Sequence, residues 1–142
     1  MTTPTTVTAA LICREGKILA AQRPVADNLA LLWEFPGGKV EVGETNEECL
    51  ARELKEELGV EAEIGRYFHN SRYAYPGGEI DLVAYWATIK SGPLDLKFHK
   101  AVKWCDRESL TRLAFAPADV PIVELLMRTN IWPVRLERNQ CP

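Results

Sequence analysis

Apolar residues run in short, strand-length blocks through most of the chain. "VTAALIC" (7–13) and "KILAAQR" (17–23) are separated by "REGK", where Gly16 supplies the positive φ that a hairpin turn needs. The two blocks are expected to pair. Pro24 ends the second, "VADNLA" reads as a loop, and "LLWEFPGG" is a short apolar strand stopped by Pro36 and two glycines. Further strands are expected at about 60–64, 66–75, 80–89 and 100–105, with "YPGG" (75–78) as a turn.

At Thr45 the period becomes helical. Thr45 with Glu48 forms a capping box and Gly59 a left-handed stop, which bounds a helix between them. "PADVPIVELLMRTN" predicts a second helix, with Asp119 as its cap, Pro121 in the first turn and Ile122, Leu125 and Leu126 as its apolar stripe. Strands mixed with two helices predict an α+β fold. No repeat or linker divides residues 1–142, so one domain is expected, with its core over 7–129 and a loosely held tail, "VRLERNQCP".

Composition narrows the function. The chain has 142 residues, 46% of them apolar and 26% charged, with a formal charge of −3. That balance argues against holding long nucleic acid, which needs a basic face. A small phosphorylated ligand is compatible if a metal supplies positive charge. Four cysteines, at 13, 49, 105 and 141, are widely spaced without a CxxC pair, so neither a disulfide framework nor a zinc site is expected. No apolar run reaches membrane-spanning length and "MTTPTT" is a polar lead-in, from which a reducing, cytoplasmic location is expected.

The candidate chemistry lies in "GGKVEVGETNEECLARELKEELGV" (37–60), with glutamates at 41, 44, 47, 48, 53, 56 and 57. At about 100° per residue, Glu57 lies about 40° to one side of Glu53 and Glu56 about 60° to the other, while Leu50, Ala51, Leu54 and Leu58 share a separate arc. Like charges at these spacings destabilise a helix by a few tenths of a kcal/mol per pair, and Arg52 offsets only part of that. Such a face is either a solvated acidic surface or the cradle of a hard cation, since Mg²⁺ takes carboxylates together with substrate phosphates.

Gly38, Glu44, Arg52-Glu53-Leu54, Glu56-Glu57 and Gly59-Val60 resemble the Nudix box at every fixed position, over residues 38–60. "AAQRP", "LWEFPGGKVE" and "APADVPIVELL" are similar to the MutT-type branch of that family. The resemblance implies a mixed sheet sandwiched between helices (α/β/α) and Mg²⁺-dependent hydrolysis of nucleoside triphosphates, of the (d)CTP type or oxidised, to the monophosphate and pyrophosphate. Mn²⁺ is the expected substitute metal. It implies Glu53 and Glu57 as main metal ligands, Glu56 assisting, and the Gly38 carbonyl completing the set. Glu53 is the candidate proton acceptor, and Arg52 and Glu44 hold loop and helix in place.

Many family members carry a further loop glutamate where this chain has Phe98. Asp95 and His99 are the nearest substitutes, although a lone loop histidine is more often a surface residue. That departure keeps a second class open, a nucleotide-binding sensor on the same fold.

For substrate, Arg23 suits either a phosphate or a base edge, and without the resemblance reads equally as a surface strand-end arginine. Asp119 stands where the branch reads the base, and an acceptor there suits the exocyclic amine of cytosine as well as adenine or 8-oxoguanine. Phe35 and Tyr73, or Tyr75, are stacking candidates. Gly37, Gly38 and Lys39 border the ligand, and Cys49 reads as a small buried filler. The partner is a small nucleotide, with monomer and homodimer both open.

Overall fold

The computed structural model describes residues 3–130, Trp132 and Pro133. Among them the elements are β1 (Thr5–Arg14), β2 (Lys17–Gln22), β3 (Trp33–Glu34), α1 (Asn46–Leu58), β4 (Glu61–Tyr75), β5 (Gly78–Ser91), β6 (Ala101–Cys105), α2 (Arg107–Thr111) and α3 (Val120–Arg128). The tail expected to be loose lies outside the described residues.

Strand β1 explains the layering. Its apolar run is unbroken because both faces are covered, and alternate side chains point to opposite sides. Ala9 and Leu11 pack with Leu110 of α2 and Ile122 and Leu126 of α3. Ala10 and Ile12 pack with Leu50, Leu54 and Leu58 of α1. Helices therefore flank a six-stranded mixed sheet in which β1 and β5 run parallel and the other pairs antiparallel. The expected α+β sandwich is what forms.

Helix α1 follows its sequence signals closely. Thr45 accepts from the Glu48 N–H while the Glu48 side chain accepts from the Thr45 N–H, and Gly59 closes the helix at φ 68°. Elsewhere local reading is corrected. The two strands expected over 60–75 are one, β4, kept continuous by irregularities in its register against β5. Helix α2 was not expected, being a single turn started by reciprocal Asp106 and Ser109 bonds. Asp119 precedes α3 without capping it by its side chain, because its backbone is already helical at φ −82°, ψ −22°.

Cys13 is disulfide-bonded, whereas Cys49 and Cys105 are free and buried. A single bridge leaves no spacing pattern for a sequence to display.

The cleft arises from how β2 shares its partners. One edge is covered by β6, while the other is divided between β1, paired at Lys17 and Ile18, and β3, paired at Ala21 and Gln22. The chain leaving β3 crosses that divide and runs along β1. There the Ala10 N–H donates to Pro36 O at 2.8 Å and the Val40 N–H to Thr6 O at 3.1 Å. The glycines are required at this crossing, since a Cβ on Gly37 would sit 2.0 Å from the Thr8 carbonyl oxygen.

Candidate active site

A cleft of about 260 Å³ opens at this crossing, between the Glu53 and Glu57 face of α1 and a wall formed by Arg23, Glu34, Phe98 and Asp119. Val7, Thr8, Gly37 and Gly38 line it between these two faces.

On the α1 side Arg52 is the organiser. Its Nε and Nη2 donate to the two Glu44 oxygens at 2.6 and 2.9 Å, and its Nη1 donates to Glu53 at 2.9 Å and Glu56 at 3.2 Å. Its Nη2 also donates to the Lys39 carbonyl at 3.3 Å. This guanidinium holds the Glu44 carboxyl down at about 2, helped by the Glu41 N–H. Loop and helix are thereby clamped together.

Burial pushes the Glu53 carboxyl upward against the opposing Arg52 hydrogen bond. It pushes Glu57 further, up to about 8, with the Glu34 and Glu53 charges adding to it. Among the described residues, Glu57 Oε1 is buried and has no hydrogen-bond partner. A buried bare carboxylate oxygen facing a second acid is costly alone and suits a hard divalent cation, which takes oxygen ligands. Among the described residues no three His, Cys, Asp or Glu side chains close on one point. Two carboxylates are nonetheless what such a cation takes when phosphates and water complete its shell.

Two expected ligands sit differently from Glu53 and Glu57. Glu56 leans out, with its side chain 58% exposed and tied to Arg52, and does not line the cleft. The Gly38 carbonyl accepts from the Thr8 N–H at 2.8 Å and the Thr8 hydroxyl at 3.1 Å, with Cys49 Sγ at 3.4 Å. These bonds tie the carbonyl to β1 and to α1. What Gly38 provides is space, because a Cβ there would meet the Glu53 carboxylate at 2.3 Å.

The opposite wall holds a second arginine. Arg23 donates through Nε and Nη2 to the Asp27 oxygens at 2.7 Å each and through Nη1 to Glu34 at 2.5 Å, and lies over the Phe98 ring, 5.6 Å from its centroid. These carboxylates, Asp27 foremost, raise its already high pKa. The other Glu34 oxygen meets His99 Nε2 at 2.8 Å. Glu34 is the cleft-lining residue that sequence reading missed. Its only signal was a lone acid inside the apolar stretch "LLWEF". His99 also departs from expectation, since its side chain is fully buried rather than on the surface.

Asp119 is buried and its Oδ2 accepts from the Phe35 N–H at 3.0 Å, which ties α3 to β3 at the cleft. Burial holds its carboxyl well above the usual range, and the Glu34 charge adds to this. Phe35 lines the cleft, with its ring buried against Phe115 at 5.1 Å between centroids. Lys39 is at the cleft mouth and exposed. Tyr73 is not brought in. Its ring packs on Tyr75 at 4.6 Å, and Tyr75 turns its hydroxyl to the Ala118 N–H. Asp95 lies beyond the cleft lining, where its N–H donates to the Leu58 carbonyl.

Fold and site together are those of a hydrolase that works with a divalent cation. The NUDIX domain model matches residues 2–126. Over 121 residues the chain is 45% identical to the CTP pyrophosphohydrolase of Escherichia coli strain K12, covering 85% of this chain and 90% of that one. It is 31% identical over 123 residues to the 8-oxo-dGTP diphosphatase of the same organism, covering 86% and 95%. The MutT NUDIX hydrolase from Burkholderia pseudomallei superposes with a TM-score of 0.77 at 27% identity, over 87% of this chain and 98% of that one. The chain belongs to the Nudix hydrolase family and resembles its MutT-type members. No described helix is long and apolar enough to cross a membrane.

Proposed function

We propose that this protein is a Mg²⁺-dependent nucleoside triphosphate pyrophosphohydrolase, converting a (d)NTP and water to the (d)NMP and diphosphate. Its substrates are (d)CTP-type or oxidised nucleotides such as 8-oxo-dGTP, cleared from a cytoplasmic pool. The observation that carries this is the unpartnered, buried Glu57 Oε1 facing the cleft beside Glu53. The names of the E. coli relatives support the substrate class.

Glu53 and Glu57 hold the metal, for which Mn²⁺ substitutes. Bound there, the cation neutralises triphosphate charge and acidifies water. Arg52 keeps Glu53 aimed and Glu44 keeps Arg52 aimed, a supporting role worth about 10–100-fold in metal affinity or activity. Lys39 meets the phosphate tail at the mouth. Arg23 already carries two carboxylates, so it has no surplus positive charge for phosphate, and its remaining N–H groups serve the nucleobase. Asp119 offers an acceptor to an exocyclic amine such as the one on cytosine.

The test is a panel of CTP, dCTP, 5-methyl-dCTP, 8-oxo-dGTP and 2-hydroxy-dATP with Mg²⁺, following monophosphate and pyrophosphate. Glu53→Gln should reduce turnover by at least about 1,000-fold, several kcal/mol of metal-dependent stabilisation. A nucleotide that binds and stays intact with the wild-type protein would favour the sensor reading.

A further inference from the structure

Residues 92–100 join the two sides of the cleft. The Asp95 and Lys97 N–H groups donate to the Leu58 and Glu57 carbonyls at 2.8 and 3.0 Å, fastening one end of the loop to the last turn of α1. The Lys100 N–H donates to the Gln22 carbonyl at 2.9 Å, fastening the other end beside Arg23. Between these anchors the chain inserts His99, whose side chain is fully buried.

A buried imidazole that leaves a nitrogen unpaired is costly. Among the described residues, His99 Nδ1 is buried without a partner. The one polar contact given to this ring is therefore the 2.8 Å bond from Nε2 to Glu34 Oε2. Because a carboxylate accepts, Nε2 carries the proton. Glu34 spends its other oxygen on Arg23, so His99, Glu34, Arg23 and Asp27 form one hydrogen-bonded chain. Phe98, the neighbour of His99, supplies the ring on which the guanidinium rests. Without His99, Glu34 is free to swing and Arg23 loses one of its two carboxylate stops.

We propose that His99 is a positioning residue for nucleotide recognition: it fixes Glu34, and through Glu34 the Arg23 guanidinium, in the wall of the cleft. Its side chain lies outside the lining of the cleft. The proposal rests on the reading of this cleft as a nucleotide site, and its consequence falls on substrate affinity rather than on the chemical step.

The test contrasts His99→Gln, whose amide nitrogen reaches the place of Nε2, with His99→Asn, whose amide nitrogen reaches only the place of Nδ1. In nucleotide-free protein, the Arg23 guanidinium N–H resonances should be sharp and slowly exchanging in wild type and His99→Gln, and exchange-broadened in His99→Asn. With CTP and Mg²⁺, His99→Asn should raise KM about 10-fold, the worth of a hydrogen bond to a charged group, with kcat within about threefold. His99→Gln should stay within about threefold of wild type in both. Equal behaviour of the two variants, a loss confined to kcat, or a failure of both to fold overturns the proposal. A His99→Asn chain that does not fold beside a folded His99→Gln with sharp Arg23 signals supports it. If wild type cleaves no nucleotide, the hydrolase reading fails, while the Arg23 resonances still decide the role of His99.

Discussion

Each wall of the cleft is built around an arginine holding several carboxylates, yet the two arrangements serve different ends. Arg52 binds Glu44, Glu53 and Glu56, two of which lie on its own helix. Arg23 binds Asp27 and Glu34, and Glu34 meets a histidine 65 residues further along. The Arg52 cluster is local, with a half-exposed member in Glu56, and it orients an acid that remains available. The Arg23 cluster is closed, with its partner acid used on both oxygens, and it orients the arginine itself. One wall prepares oxygen ligands and the other prepares donors.

The sharpest way to break this contrast is to exchange the acids of α1 singly. Glu57→Gln should lower kcat/KM by about 1,000-fold or more, since the bare buried oxygen is a cation's foothold. Glu56→Gln, outside the cleft, should cost less than about tenfold. Comparable losses in a steady-state assay would mean that burial does not separate these two acids.

Next comes the pH dependence of the cation-free protein. Glu57 titrates near 8 when folded, against an ordinary 4.5. The folded state then binds more protons than the unfolded chain between these values. Stability from this group is complete below about pH 4.5 and lost as pH rises through 8, on the order of 3 kcal/mol between pH 5 and 8. Thermal unfolding with a chelator should show a lower midpoint at pH 8 than at pH 5. Saturating Mg²⁺ or the Glu57→Gln change should flatten that slope, and a slope that persists in the variant would assign it elsewhere.

A smaller effect than loss of the Glu57 carboxylate is expected from Arg52→Lys, which keeps the charge and loses the two-pronged grip on Glu44. Activity should fall about 10–100-fold, chiefly through weaker metal affinity, measured as the Mg²⁺ concentration for half-maximal rate. A drop with unchanged Mg²⁺ dependence would move Arg52 out of the metal side.

How much was legible follows the same division. Helix α1 could be read to the residue because Thr45, Glu48 and Gly59 act through bonds within a few positions. The acidic face was legible too, although angle alone put Glu56 with Glu53 and Glu57. The solvent exposure of Glu56 depends on which side of the helix the sheet covers. On the other wall Arg23 was visible as a lone cation, whereas its partnership with Glu34 depends on β2 and β3 pairing at Ala21 and Glu34. The burial of His99 depends on a loop fastened at both ends by backbone groups, which no residue type announces. Tyr73 failed as a candidate because it packs on Tyr75 beyond the lining of the cleft.

Among the described residues β4 ends the sheet, and its fifteen residues make a long margin. A straight, flat margin of that length is a template on which other chains stack into aggregates. Here the register against β5 slips between Glu61 and Ala62, between Ile64 and Tyr67, and again between Tyr67 and His69. Arg66 and Arg72 are charged positions along the same strand. Kinked and charged in this way, the border resists recruiting neighbours, and the molecule keeps a long strand without the fibre-forming hazard that length would bring.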